Sequence, residues 1–96
     1  MCKKNPAIYV IEDETHSEWC GEFQTFDQAF AELKRRAAIP WGVAPNVCPC
    51  TSWKTCQRIY EIVEYDTSVK PWKEKDRTFI FSVSSRGIEW NEEYKT

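Results

Sequence analysis

The sequence predicts an α+β protein: one antiparallel sheet of about five strands with a single helix packed on one face, in the order β-β-α-β-β-β. Three observations carry this. Residues 26–37 repeat their apolar side chains at steps of three and four. Residues 7–11, 57–66 and 78–84 are runs rich in β-branched and aromatic residues. The runs after residue 57 follow one another through polar connections with turn residues, which is the pattern of a meander.

The first strand is Ala7-Ile8-Tyr9-Val10-Ile11, which follows Pro6 and is nearly apolar throughout, so it should be covered on both faces. An acidic turn follows it, and Glu18–Phe23 pairs back as a second strand, where Gly21 suits a bulge. The helix should span about 26–38. Phe26, Ala29, Phe30, Leu33 and Ala37 make its apolar stripe. Thr25 followed by Gln28 has the spacing of a capping box. Asp27 in the first turn and Lys34, Arg35 and Arg36 near the end both suit the helix dipole. Pro40 stops the helix by disfavouring helical geometry at Ile39.

Residues 39–56 form a long connection, whose single charged residue, Lys54, argues for an ordered, partly buried loop. Residues 57–66 form a long strand, with Ile59, Glu61, Val63 and Tyr65 on one face and Arg58, Tyr60, Ile62 and Glu64 on the other. A polar connection is expected over 67–77, around Pro71. Residues 78–84 form the next strand, with Phe79, Phe81 and Val83 facing the core. A turn at 85–87, a short strand at 88–90 and a polar tail over 91–96 complete the chain.

The length of 96 residues fits one domain, 1–96. Five Trp, four Tyr and five Phe are enough to build a core without disulfides. A net charge of −2 and a pI near 5.4 argue against a nucleic-acid partner, since such binders carry a basic face. No run approaches the roughly 18 apolar residues that cross a bilayer, so no membrane role is expected. The Lys3-Lys4 start has no apolar core behind it, and the five cysteines cannot all pair within the chain. A cytoplasmic protein with free or metal-bound thiols is the expectation.

Chemistry concentrates in the long connection. Cys48, Cys50 and Cys56 lie close together there, between Trp41 and Trp53 or just beyond. Three thiolates with Cys20 or His16 as a fourth ligand would satisfy tetrahedral zinc, although the C-x-C spacing is not that of paired zinc knuckles. A disulfide to Cys56 is a second reading, and small apolar thiols filling gaps beside the tryptophans a third. A thiol-dependent enzyme is the alternative from another class. Lys54 and Arg58 flank Cys56, but no C-x-x-C motif exists and the lone His16 sits in an acidic turn. Glu61 shares a face with apolar residues; if that face is buried, it must be hydrogen-bonded or paired, with Arg58, Arg77 or Arg86 as candidate partners.

Trp72 stands among Lys70, Lys73, Lys75 and Arg77. Such a tryptophan lies back on its own sheet, serves as a protein-interface anchor, or stacks on bases while its basic neighbours bind phosphates. The reading adopted is a small non-catalytic module that binds or regulates another protein, with Trp41, Trp53, Trp72, Lys73 and Arg77 as candidate contacts. The acidic run Glu12, Asp13, Glu14, Glu18, Glu22 suggests an edge that meets a basic partner. Open strand edges also leave a homodimer compatible with the sequence.

Overall fold

The computed structural model describes residues 7–15, 18–40, 43, 44, 46 and 57–94. Its elements in chain order are β1 (Ala7–Asp13), β2 (Glu18–Phe23), α1 (Phe26–Ala37), β3 (Gln57–Asp66), β4 (Lys73–Ser84) and β5 (Gly87–Trp90). The strands form one sheet in the order β2-β1-β3-β4-β5, with every neighbouring pair antiparallel. This is the expected α+β architecture, and it places β1 and β3, the two most apolar strands, at the centre.

The helix begins where its caps dictate. Thr25 has extended backbone geometry, and its hydroxyl oxygen accepts the Gln28 amide at 3.1 Å. The Gln28 side chain reaches back to the Gln24 amide, also at 3.1 Å, one residue before the cap. Two otherwise orphaned donors are thereby satisfied. At the other end, Arg35 and Arg36 carbonyls accept from the Ala38 and Ile39 amides, and Pro40 follows.

Strand register sorts the side chains into two faces. On the helix face, Ile11, Tyr60, Ile62, Phe81 and Val83 pack with Ile80 and with Ala29 and Leu33 of α1. Burying a side chain such as Leu33 in this way contributes about 1.5–3 kcal/mol. Aromatic rings close the margin of this core: Phe81 and Trp90 lie 4.9 Å apart, and Phe30 and Tyr94 5.6 Å. Tyr94 comes from the segment expected to be a polar tail. Asn91 carries it there by donating to the Phe79 carbonyl at 2.7 Å, which folds residues 91–94 onto the helix.

The structure corrects three details. β1 continues to Asp13, because Glu12 and Asp13 pair with Glu61 and Tyr60 of β3. β4 begins at Lys73 rather than Thr78, so the turn between β3 and β4 covers only 67–72. The charged stretch 73–77 pairs with the second half of β3, Lys73 opposite Asp66 and Arg77 opposite Val63, and this pairing supplies what its hydrophobicity does not. Finally, a register shift between Tyr60 and Glu61 sets Phe79 opposite Glu61, so Ile80 joins Phe81 and Val83 in the core in place of Phe79.

The shift in β1–β2 falls where Gly21 suggested a bulge. Gly21 has φ +146°, and a Cβ there would meet the Phe23 ring at 3.1 Å, so the position requires glycine twice over.

Candidate functional site

The face of the sheet opposite the helix carries the most concentrated set of chemical groups. Val10 and Val63 lie at its centre and are fully buried, although among the described residues the one helix packs on the other face. Three aromatic rings gather on this face. Trp19 pairs across with Glu12, Tyr65 lies on β3, and Trp72 is the last residue before β4. Trp19 and Trp72 stack at 6.0 Å with their planes 21° apart, and Tyr65 lies 5.7 Å from Trp19 and 6.2 Å from Trp72. Two register shifts in the β3–β4 hairpin accentuate its twist. The tip thereby curls over this face and brings Trp72 to the far edge strand.

Beneath the rings lies an ionic hub. Glu12 and Glu61 are directly opposed on β1 and β3 and are 9% and 6% exposed. Like charges so placed repel unless a cation joins them. Arg77 does so, with Nη1 at 2.5 Å from Glu61 and 3.2 Å from Glu12, while its Nη2 and Nε grip Glu74 at 2.9 and 3.1 Å. Glu61 thus has the cationic partner its position demanded. The Tyr65 hydroxyl donates to Glu12. Burial first, then this bond and the Glu12 charge, push the Tyr65 hydroxyl up to about 12. The hydrogen bond to Glu74 does most to raise Arg77 above its already high value; burial opposes this, and Glu61 reinforces it. Three carboxylates share one guanidinium, so the hub is acidic.

A second polar cluster sits on the helix face at the end where β1 finishes and β3 starts. Asp13, fully buried, accepts the Ile59 and Thr15 amides through Oδ1 at 3.0 and 3.1 Å and Arg58 Nη1 through Oδ2 at 2.9 Å. Arg58 also reaches Glu18 at 2.8 Å and the Asn46 carbonyl at 3.0 Å. Asn46 is fully buried, accepts the Tyr60 hydroxyl at 3.0 Å, and donates to the Arg36 and Ile39 carbonyls at 2.8 and 2.7 Å. Among the described residues no buried side-chain polar atom lacks a partner. This network ties the end of the helix to the sheet and is structural in character.

The residues singled out in the sequence fall in different places. Trp72 lies back on the sheet, stacked on Trp19. Arg77 is committed to the carboxylate hub. Lys73 is exposed and pairs with Asp66 at the hairpin tip, where Ser68 hydrogen bonds do most to lower the Asp66 carboxyl and Lys75 and Lys73 add to it. The basic and aromatic residues of 70–77 therefore do not form one surface. Cys20 packs half-buried against the helix-face core. Burial, the leading cause, raises its thiol despite nearby Arg36, so it is held protonated. Trp41, Trp53, Cys48, Cys50, Cys56 and His16 lie outside the described residues, and with them the zinc, disulfide and thiol-catalysis readings of the cysteine loop. Among the described residues no three His, Cys, Asp or Glu side chains are grouped to hold a metal ion.

Trp19 is the residue that sequence reasoning passed over. It is 50% exposed although it belongs to the ring cluster, and it lies on β2, an edge of the sheet. Its signal in the sequence was position: a large apolar residue on a short strand whose neighbours Glu14, Glu18 and Glu22 are all exposed. No protein-family model, curated protein or solved structure matches this chain. No described helix is long and apolar enough to cross a membrane. The chemistry available at the cluster is therefore read from its geometry: an aromatic surface half open to solvent, bordered by exposed carboxylates and underlain by an acidic hub.

Proposed function

We propose that this chain is a non-catalytic module that binds another protein, and that the partner presents basic charge. The observation that supports this best is Trp19. A tryptophan half exposed on a sheet edge, propped by Trp72 and Tyr65, is a rigid apolar anchor of the kind that dominates protein interfaces. Exposed Glu14 and Glu22, near it in the chain, favour a cationic partner and steer its approach. The carboxylates of the hub are already engaged with Arg77 and Tyr65, so they serve as a fixed source of field rather than as acids or bases in a reaction. In this role the module neutralises or regulates its partner by covering part of its surface.

The test is affinity capture from native-host extract at low salt. Retained proteins are identified, and binding is then reconstituted with the purified partner. The expected result is a basic protein that binds directly and is released by salt. Failure of every retained protein to bind in purified form contradicts the proposal.

A further inference from the structure

We infer that the β2 edge receives an extended, arginine-rich segment of the partner, with one guanidinium laid against the Trp19 indole and paired with Glu22. This deepens the protein-binding role proposed above and rests on it. The register supplies the geometry. Trp19 pairs with Glu12, and Glu22 pairs with Val10. Glu12 and Val10 are two apart on β1, so Trp19 and Glu22 are neighbours on the same face of the edge strand, and both are exposed. A cation over Trp19 is within one side-chain length of the Glu22 carboxylate. Glu18 points to the other face and is already paired with Arg58 at 2.8 Å, so it is not the partner in this contact.

Three arguments select the occupant. The face of an indole attracts cations, and a carboxylate beside it strengthens the attraction. The Glu12–Glu61–Glu74 group around the single Arg77 adds negative field from below. Lys73 and Lys75 lie close enough to Asp66 at the hairpin tip to help lower its carboxyl, so part of their charge is offset there. Arginine fits better than lysine, because a planar guanidinium both stacks and takes a carboxylate through two parallel bonds. A second copy of this chain is a poor occupant. Pairing β2 with a second copy brings the carboxylates of Glu18 and Glu22 towards those of the other copy, and the bulge at Gly21 interrupts the ladder that such pairing needs.

The experiment measures binding of the full chain to an oligoarginine peptide, with oligolysine and oligoglutamate of equal length as comparisons. The expected order is oligoarginine, then oligolysine, with no binding of oligoglutamate, and binding that weakens as salt is raised. Trp19→Ala should weaken oligoarginine binding about tenfold, and Glu22→Lys should weaken it further. Glu22 is exposed, so the second variant keeps the test decisive if the first does not fold. The inference is overturned if Glu22→Lys binds oligoarginine as the unaltered chain does, or if oligoarginine binds no better than oligoglutamate. A purified partner that binds the unaltered chain and both variants equally overturns this site while leaving the binding role standing. Absence of any partner and of any peptide binding removes both.

Discussion

The two faces of this sheet are built on different principles. The helix face is closed: α1 covers it with Ala29 and Leu33, aromatic rings seal its rim, and its buried polar groups are matched within the network around Asp13, Arg58 and Asn46. Among the described residues, the opposite face has no helix. It carries two buried valines and a cluster of three rings drawn from β2, β3 and the hairpin tip, beside an ionic hub with three carboxylates around one guanidinium. The comparison teaches that the first face holds the fold together, whereas the second holds itself together and still leaves its outermost ring half in water. A surface that is rigid, aromatic and incompletely covered is suited to contact with another molecule.

Substitutions should separate the faces by size of effect. The largest loss is expected from Asp13→Ala, which takes from buried Arg58 its fully buried carboxylate, leaving the more exposed Glu18 beside it, and removes the acceptor of two backbone amides. Removing one partner of a buried pair costs about 3–5 kcal/mol, to be read from the shift in urea unfolding midpoint at constant slope. Leu33→Ala should cost about 2–5 kcal/mol by the same measurement, since it opens a cavity under the helix. Trp72→Ala on the opposite face should cost less, about 1–2 kcal/mol, because its stacking partner Trp19 is only half buried. A loss from Trp72→Ala larger than that from Leu33→Ala would reverse the assignment of the two faces. Thr25→Ala, which removes the helix cap, should cost about 1 kcal/mol.

The smallest effects are pH slopes, and the two faces should contribute at opposite ends of the scale. On the helix, the Arg35 hydrogen bond above all, with Arg36, lowers Glu32 from its ordinary 4.5 to about 2. A carboxyl depressed by folding adds stability above its unfolded value, and that stability is lost as pH falls from 4.5 towards 2. Glu32→Gln should flatten this acid limb. On the opposite face, Tyr65 is raised from 10 to about 12, mainly by burial. Its stabilising effect is complete below pH 10 and is lost as pH rises through 12. Tyr65→Phe should flatten the alkaline limb, and phenolate absorbance of the folded protein should show one tyrosine titrating near 12.

How much of this was legible in the sequence depends on whether the signal was local. The helix was read to within one residue because its stripe, cap and stop all lie within it. The bulge at Gly21 and the need of Glu61 for a cation were also local inferences. β4 was started late because Lys73–Arg77 carries no apolar alternation, and only its hydrogen bonding to β3 makes it a strand. Phe79 and Ile80 exchange places because a bulge in β4 at Ile80 resets the face, which composition does not record. The acidic run reads as a turn from residue 12 onward, yet Glu12 and Asp13 belong to β1 and are buried. The clue was the pair of arginines, Arg58 and Arg77, that each needed a carboxylate. Trp72 was known to face a choice between sheet and solvent, but its stacking on Trp19 joins residues far apart in sequence, which no periodicity reports. The candidate site accordingly moved from the cysteine loop, which lies outside the described residues, to the face opposite the helix.

The central claim is that the face opposite the helix, at the β2 edge, is the working surface. The most direct test is a map of backbone amide and indole N–H chemical shifts as oligoarginine is added to the intact protein. The account predicts perturbations along Glu18–Phe23 and at the Trp19 and Trp72 indoles, with the Trp90 indole and the Phe30–Tyr94 rim unchanged. Perturbations centred on that rim with β2 unmoved would contradict it.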